Sequence, residues 1–313
     1  MKKREVLFGL LVIGLTTGGL CYYYNNIYGS PSNKIKESKN KEGKKGKEDK
    51  TELNAACFKG SINVLKTWDM PKELVEISGI SWINNDQVAA IQDNECIIYI
   101  YNFANGGVEK QIKFGGVGDY EGIAYVSPNY FVMRSDGFVY EINNSGKLMN
   151  QYDLPLTVED NIESFYFDAA NDRLLMGQKD GSKGTQSKKI YSFDLASRKF
   201  NATPIFALDM NDPMLNCEQE TKKGNKKGKK NLQLRPSALT IHPKTKDIYI
   251  ADGPNQRILV LSPDQKPKYF LSLDKKLFPQ VEGLMFSPNG ELYVSTEGVK
   301  GMGNISKVSV LMD

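Results

Sequence analysis

The sequence predicts an all-β protein, a five-bladed β-propeller of four-stranded antiparallel blades that is closed by an N-terminal strand. Three observations support this fold class: a five-residue phrase occurs five times, a second polar position follows the start of each copy by 15 residues, and short β-rich runs fill the intervals. Successive copies begin 43, 42, 74 and 45 residues apart. Repeats of this length built from short strands are typical of propeller blades.

The N-terminus has the pattern of an export signal. The chain begins MKKR and continues with an apolar run over residues 6–24 that ends in three tyrosines. Nineteen residues are just enough to cross a bilayer as a helix, and tyrosines suit the far interface. We therefore expect residues 1–24 to be a signal anchor or a signal peptide. An uncleaved anchor, a cleaved signal and a lipoprotein at Cys21 stay open in that order, because Leu20 is bulky for a lipobox.

Residues 25–57 are predicted to be a flexible, lysine-rich tether. Between residues 33 and 50 the only large apolar residue is Ile35, which is too little to form a core. An anchor followed by a tether places the rest of the chain outside the cytoplasm. We expect a protein of the cell envelope, membrane-anchored through its N-terminal segment, with its folded domain in the periplasm or at the cell surface.

Residues 58–313 are predicted to form the propeller. Each copy of the phrase has a polar residue, a small residue and then apolar residues at its third and fifth places. Small residues fit innermost strands, which converge near the axis. The copies are Ser78-Gly79-Ile80-Ser81-Trp82, Glu121-Gly122-Ile123-Ala124-Tyr125, Glu163-Ser164-Phe165-Tyr166-Phe167, Ser237-Ala238-Leu239-Thr240-Ile241 and Glu282-Gly283-Leu284-Met285-Phe286. The second polar positions are Asp93, Asp136, Gln178, Asp252 and Glu297.

Four β-rich runs per repeat indicate a four-stranded meander. In the second repeat they cover residues 122–126, 130–134, 138–142 and 149–154. The last repeat ends after its third run, and the strand-like residues 61–69 come before the first repeat. We expect this early strand to pair with the final blade, because closing the ring removes two free sheet edges.

The long third interval is predicted to hold an insertion loop at about residues 209–233. Its lysine run, residues 222–230, has no interleaved aromatic residues and is interpreted as a solvated loop, so we expect no nucleic-acid partner. Residues 1–50 carry a net charge of +6 and residues 222–230 another +6, so removing both from the whole-chain +4 leaves −8. An acidic body suits cations better than polyanions.

Histidine and cysteine content excludes several kinds of site. The one histidine, His242, lies in a sequence typical of a turn after a strand, so a His-rich zinc site is excluded and a Ser/His/Asp triad has a single candidate. The four cysteines show no CxxC spacing. Cys96 is predicted to be a buried thiol, while a disulfide between Cys57 and Cys217 stays open.

These phrases resemble those of the SdiA-regulated family, exported bacterial propellers distantly similar to proteins with NHL repeats. The resemblance covers about residues 65–310 and implies a five-bladed propeller with a calcium site; no activity is established for the family. The third and fourth copies depart from the family's Glu-Gly pattern. The residues that carry the resemblance are LVEISGISW (74–82), GDYEGIA (118–124), SDGFVY (135–140) and VEGL (281–284).

The sequence also predicts a metal site at one mouth of the propeller. The start of each first strand and the end of each second strand meet at the same face of the disc, because the two strands are antiparallel. Three of these positions are uncharged, Ser78, Ser237 and Gln178. The other seven are the candidate ligands Glu121, Glu163, Glu282, Asp93, Asp136, Asp252 and Glu297. An all-oxygen set of this kind favours Ca²⁺ as the cofactor.

A turn preference explains some of these acids without any metal. Asp136 and Asp252 each precede glycine, a common turn pair, whereas a glutamate at the start of an apolar strand has no such explanation. Glu121 and Glu282 are therefore the strongest candidates. Asp119 and Glu76 flank the same phrases and are alternative ligands.

Two function classes stay open from the sequence. One is a calcium-binding module, acting as a monomer, whose partner is a small ligand, a glycan or a protein. The alternative is a calcium-dependent esterase or lactonase-like hydrolase, in which the metal polarises a carbonyl and Glu121 or Asp136 acts as base. The chain has no nucleophile-elbow motif to support the second class.

Overall fold

A computed structural model of the protein describes residues 52–53, 58–180, 186–215, 218–223, 226–231, 233–299 and 301–312. The elements in these ranges are 23 β-strands and two short 3₁₀-helices, which confirms the all-β prediction. Two strands precede the repeats, β1 (Glu52–Leu53) and β2 (Phe58–Asp69). The first 3₁₀-helix, Lys72–Leu74, follows them.

Three separate antiparallel sheets contain four strands each, in chain order. Set 1 contains β3 (Ile77–Trp82), β4 (Gln87–Gln92), β5 (Ile97–Asn102) and β6 (Gly107–Lys113). Set 2 contains β7 (Tyr120–Val126), β8 (Asn129–Arg134), β9 (Phe138–Ile142) and β10 (Leu148–Asp153). Set 3 contains β11 (Ile162–Asp168), β12 (Arg173–Gln178), β13 (Ser187–Asp194) and β14 (Lys199–Asp209).

The insertion forms a small sheet of its own. Strands β15 (Glu218–Lys223) and β16 (Lys226–Asn231) pair as a hairpin, and β1 pairs with β15. Both strands of this hairpin lie within the insertion predicted at about residues 209–233.

The remaining strands form one eight-stranded sheet that divides into two sets. Set 4 contains β17 (Ala238–Ile241), β18 (Ile248–Asp252), β19 (Arg257–Leu261) and β20 (Pro267–Ser272). Set 5 contains β21 (Val281–Phe286), β22 (Leu292–Thr296), β23 (Asn304–Met312) and β2. The second 3₁₀-helix, Gly253–Asn255, lies between β18 and β19.

Strand β2 joins sets 4 and 5 into that single sheet. It pairs antiparallel with β23, from Gly60 opposite Met312 to Asp69 opposite Asn304. It also pairs parallel with β20, where Ser61 lies opposite Ser272. Strand β2 therefore lies between β20 of set 4 and β23 of set 5.

Five hydrophobic clusters each contain residues from two sets. Representative pairs are Ile98 and Ile123 for sets 1 and 2, Phe131 and Phe193 for sets 2 and 3, Ile190 and Ile250 for sets 3 and 4, Leu271 and Val294 for sets 4 and 5, and Tyr99 and Tyr293 for sets 5 and 1. Apolar side chains on both faces of each sheet are thereby buried against the neighbouring sheets.

The first strands of the five sets, β3, β7, β11, β17 and β21, pack against one another, and we call them the inner strands. Their backbones approach closely. A Cβ atom at Gly122 would lie 2.2 Å from Cβ of Phe165, and one at Gly79 would lie 3.0 Å from Cα of Gly122. This close approach is the reason for the small residue at the second place of the repeated phrase.

Predictions about single residues have mixed outcomes. Cys96 is a buried free thiol, as expected. His242 follows the last residue of β17, and its Nδ1 accepts hydrogen bonds from the backbone N–H groups of Lys244 (3.2 Å) and Thr245 (3.1 Å), which confirms the turn. The predicted export segment and tether, and both cysteines of the open disulfide, lie outside the described residues. Within the described ranges no helix is long and apolar enough to span a bilayer.

Candidate functional site

A β-bulge occurs at the start of four inner strands. In sets 1, 2, 3 and 5 the pairing with the second strand shifts by one residue across Ser78, Glu121, Glu163 and Glu282, respectively. In set 4 the strand starts after Ser237, whose backbone N–H bonds the carbonyl of Ala251 at 2.9 Å. A bulge turns the extra residue away from the regular pleat. The three glutamates therefore do not follow the regular alternation of side chains between the two faces of the sheet.

The three bulge glutamates interact with one another and with Lys179. Burial raises the pKa of Glu121 well above its usual value, and the charges of Glu163 and Glu282 add to this effect. Burial likewise raises the pKa of Glu163 to about 7, although the ammonium of Lys179 opposes the shift. Lys179 forms an ion pair with Glu163, and both side chains are almost buried. The inner ends of sets 2, 3 and 5 therefore share one charged region, in which Glu163 and Glu282 are buried and Glu121 is partly exposed.

Glu282, Glu297 and Asp93 continue this region toward set 1. Burial raises the pKa of Glu282 to about 7, and the charge of Glu297 adds to the shift. Burial and repulsion from Asp93 and Glu76 raise the pKa of Glu297 to about 7. Burial, followed by the charges of Glu76 and Asp119, raises the pKa of Asp93 to about 7. We call Asp93, Glu121, Glu163, Glu282 and Glu297 the acidic cluster.

The other two predicted acids have ion-pair partners of their own. Asp136 pairs with Arg134, two residues away on the same turn. Asp252 pairs with Arg257 at 2.7 Å between Nε and Oδ2, and both side chains are 0% exposed. Asp252 also accepts hydrogen bonds from Nδ2 of Asn255 at 2.8 and 3.0 Å. These partners are structural, and they agree with the turn preference of Asp-Gly sequences.

The three uncharged positions also bond within the protein. Ser237 Oγ donates to the carbonyl oxygen of Val281 at 2.6 Å, which links sets 4 and 5. Gln178 donates to Oδ1 of Asp160 at 2.8 Å. Ser78 Oγ lies 3.5 Å from the carbonyl oxygen of Glu76. All three residues are buried.

Sequence reasoning missed Lys179, which is the most important addition to the site. It directly follows Gln178, at the place where Asp136, Asp252 and Glu297 are followed by glycine. That departure from the repeat was the available signal. The neighbouring Asp180 forms a two-bond ion pair with Arg235, at 3.0 and 2.7 Å.

The predicted ligands are suited to a hard cation by their chemistry, but in this structure they are not close enough together to hold one. Every predicted ligand is a carboxylate, and Ca²⁺ takes six to eight oxygen ligands. Among the described residues, no three acidic, histidine or cysteine side chains lie close enough together to hold one ion. If a metal binds at the acidic cluster, Glu121, Glu163 and Glu282 are the residues that would hold it, after local rearrangement of their side chains.

The acidic cluster predicts an unusual pH dependence of stability. In the absence of metal, we expect the melting temperature to rise by about 5 °C between pH 8 and pH 5.5. Four cluster carboxyls have a pKa of about 7 in the folded protein, whereas carboxyls of an unfolded chain titrate near 4. The folded state therefore takes up protons in this range and the unfolded state does not. The stabilisation is complete below the unfolded pKa and is lost as the pH rises through about 7.

Thermal unfolding at both pH values in the presence of a chelator measures this effect. Glu297→Gln should reduce the difference in melting temperature between the two pH values, since it removes one of the four carboxyls whose pKa is raised. Burial lowers the pKa of His242, which works in the opposite direction, so His242→Asn is a suitable control background. A melting temperature that is equal or lower at pH 5.5 would contradict the prediction.

The other ends of the inner strands are apolar. A cavity of about 250 Å³ is lined there by side chains from all five inner strands, including Trp82, Tyr125, Phe167, Ile241 and Phe286. The inner strands thus present carboxylates at their starts and apolar side chains at their ends. The chain's single histidine, which follows β17, lies at the apolar end, away from the acidic cluster.

Comparison with solved structures supports a propeller-like all-β fold. Glutaminyl cyclase from Myxococcus xanthus matches with a TM-score of 0.55 and 8% identity, over 82% of this chain and 99% of that chain. A luciferin-regenerating enzyme matches with a TM-score of 0.50 and 14% identity, over 78% of this chain and 95% of that chain. Identities this low show similarity of fold alone. No curated protein matches the sequence.

Comparison with family models agrees with the repeated phrases. The model of the SdiA-regulated family matches residues 66–299, which is about three quarters of the chain. The match begins within β2 and ends just after Glu297, so it includes the whole acidic cluster and all five inner strands. The chain therefore belongs to the SdiA-regulated family.

Proposed function

We propose that the protein is a membrane-tethered, extracytoplasmic β-propeller that binds Ca²⁺ at its acidic cluster and acts as a binding module for a small ligand, a glycan or a protein. The observation that carries the proposal is that Glu121, Glu163 and Glu282 lie on bulges at the equivalent starts of three inner strands, where burial and the charges of the other two raise the pKa of Glu121. Five carboxylates lie in the cluster, and Lys179 is the cation in contact with one of them. A divalent cation would offset the remaining negative charge.

The architecture in this proposal is a five-bladed propeller closed by β2. The five sets would be the blades, and the five hydrophobic clusters would be the interfaces between successive blades. The position of β2 beside β23 supports closure by an N-terminal strand, since that strand completes set 5. A ring of this kind leaves only short, protected sheet edges and would hold the bulge glutamates at one mouth.

The cellular placement rests on the N-terminal sequence. The basic start and apolar run of residues 1–24 favour export, and residues 25–57 would connect the anchor to the propeller. In this arrangement the domain acts in the cell envelope, where extracellular Ca²⁺ modules have affinities suited to the surrounding concentration.

A binding module is favoured over a hydrolase by the position of the histidine. His242 lies at the apolar end of the inner strands, so it is not placed to assist a reaction at the acidic cluster. The cluster carboxylates would hold the cation and exclude bulk water from it through their burial. Bound Ca²⁺ would supply positive charge for recognising an anionic or carbonyl oxygen of the ligand.

Calcium titration of the full-length protein by calorimetry tests this proposal. Wild-type protein is expected to bind Ca²⁺, and Glu121→Gln and Glu282→Gln are each expected to weaken binding by at least about tenfold, because each removes a charged ligand. Asp136→Asn is the matched control. Its carboxylate is already paired with Arg134, so its loss should leave the affinity unchanged. Absence of binding to wild-type protein would refute the proposal.

A second assay separates the two function classes. Ester and lactone substrates are incubated with the calcium-loaded protein, with and without a chelator. We expect no turnover. Hydrolysis that disappears with the chelator and with Glu121→Gln would instead assign the protein to the calcium-dependent hydrolases.

A further inference from the structure

Lys179 is the cationic side chain that contacts the acidic cluster through Glu163. Its ammonium is in contact with Glu163, and the two side chains are 12% and 9% exposed. Although burial lowers the pKa of Lys179, the carboxylates of Glu282, Glu163 and Glu121 together raise it. The ammonium is therefore in direct contact with Glu163 and is also stabilised by the charges of Glu121 and Glu282, which belong to two other sets.

The backbone around Lys179 is held in place by hydrogen bonds. Its N–H donates to the carbonyl oxygen of Asn161 at 2.9 Å. Asn161 has a left-handed backbone with φ of 44°, and its Nδ2 donates to Glu163 Oε1 at 3.1 Å and to Asp180 Oδ2 at 3.0 Å. Lysine and glutamate are thus oriented by the same asparagine. This network of hydrogen bonds holds the Lys179–Glu163 ion pair in place within set 3.

We propose that Lys179 is the built-in counter-ion of the acidic cluster, and that it sets the affinity for divalent cations by competing with them for Glu163, Glu121 and Glu282. The inference rests on the proposed function, because it concerns the same site. It also explains why the cluster carboxylates do not converge on one point among the described residues. The ammonium is in contact with Glu163, and the carboxylates are not close enough to one another to hold a metal ion.

The competition follows from elementary electrostatics. An ammonium a few ångströms from a divalent cation repels it, and the repulsion is strong where water is excluded. Ca²⁺ binding therefore requires the Lys179 ammonium to leave Glu163 and move toward solvent. A lysine stem is flexible enough to allow this movement.

Calcium calorimetry on full-length variants tests the proposal. Lys179→Gln is expected to raise the Ca²⁺ affinity by at least about tenfold relative to wild type, because it removes the competing charge. Lys179→Arg keeps the charge and should stay within about threefold of wild type. Lys188→Gln is the matched control, since Lys188 is also buried but donates to the backbone oxygen of Asp180. The Ca²⁺ affinity of Lys188→Gln should equal that of wild type.

The outcomes distinguish this inference from the proposed function. Binding by wild type with no gain in Lys179→Gln would overturn the inference and leave the function standing. Binding by Lys179→Gln alone would support the inference and refute calcium binding by the natural protein. Absence of binding in both would overturn both.

A measurement on wild-type protein covers the case in which Lys179→Gln does not fold. Labelling of Lys179 by an amine-reactive acetylating reagent is followed by mass spectrometry with and without Ca²⁺. We expect slow labelling without metal, because the ammonium is buried and paired, and severalfold faster labelling with saturating Ca²⁺. Equal labelling rates in a protein that binds Ca²⁺ would overturn the inference.

Discussion

Replacing Arg257 by leucine is expected to lower the free energy of unfolding by about 3–5 kcal/mol, because the substitution leaves a buried carboxylate without its cation. Arg257 and Asp252 are both 0% exposed, with 2.7 Å between Nε and Oδ2. The guanidinium also lies 4.2 Å from the ring centroid of Phe270.

The loss should depend on pH. Burial raises the pKa of Asp252, although Arg257 opposes this effect. Without Arg257 the carboxyl would take up a proton more readily, so the destabilisation should be smaller at pH 5 than at pH 8. Urea unfolding at both pH values measures the difference. A loss below about 1 kcal/mol at pH 8 would contradict the burial of this pair.

A double variant provides the control for this prediction. Asp252→Asn combined with Arg257→Leu removes both charges, and it should recover a substantial part of the lost stability. If the double variant is as unstable as Arg257→Leu alone, the loss comes from packing against Phe270 and not from the unpaired carboxylate. Calcium affinity of the single variant Asp252→Asn should match wild type, because Asp252 is already paired.

Gly122→Ala is expected to destabilise the protein by about 1–3 kcal/mol through overpacking between inner strands. The added Cβ would lie 2.2 Å from Cβ of Phe165, which belongs to the core between sets 2 and 3. A Cβ atom cannot move away without its backbone, so the two strands must separate. Because Gly122 directly follows Glu121, the same change should also disturb the acidic cluster.

Thermal or urea unfolding of this variant measures the cost. Gly116→Ala is the matched control, since a Cβ at Gly116 would meet no heavy atom within 4 Å. Its stability should stay within about 0.5 kcal/mol of wild type. Equal stability of the two variants would mean that the inner strands are not packed as closely as the structure shows.

The fold class could be predicted from the sequence because each repeat has its own local pattern of strand and turn residues. Alternation of apolar residues marks the strands, and turn residues mark their ends. The third strand of set 2 has the predicted bounds, Phe138–Ile142. The early strand, predicted over residues 61–69, appears as Phe58–Asp69.

The sequence predicted less about which of the seven acids belong to the candidate site. Spacing alone placed seven acids at equivalent positions, and only the turn preference of Asp-Gly sequences separated acids such as Asp136 from Glu121 and Glu282. The structure adds the neighbours of each acid in space. Arg134 pairs with Asp136 on its own turn, whereas Glu121, Glu163 and Glu282 lie on bulges and interact through their charges.

The sequence by itself determined the strands, their grouping in fours and the positions where polar residues begin each inner strand. These features depend on residues close together in the chain, so local pattern is sufficient to predict them. Only the tertiary structure decided which of the acids share a buried region and that Lys179 lies among them. Electrostatic partners from sets 2, 3 and 5 meet through packing between distant segments, and burial sets the strength of their interactions.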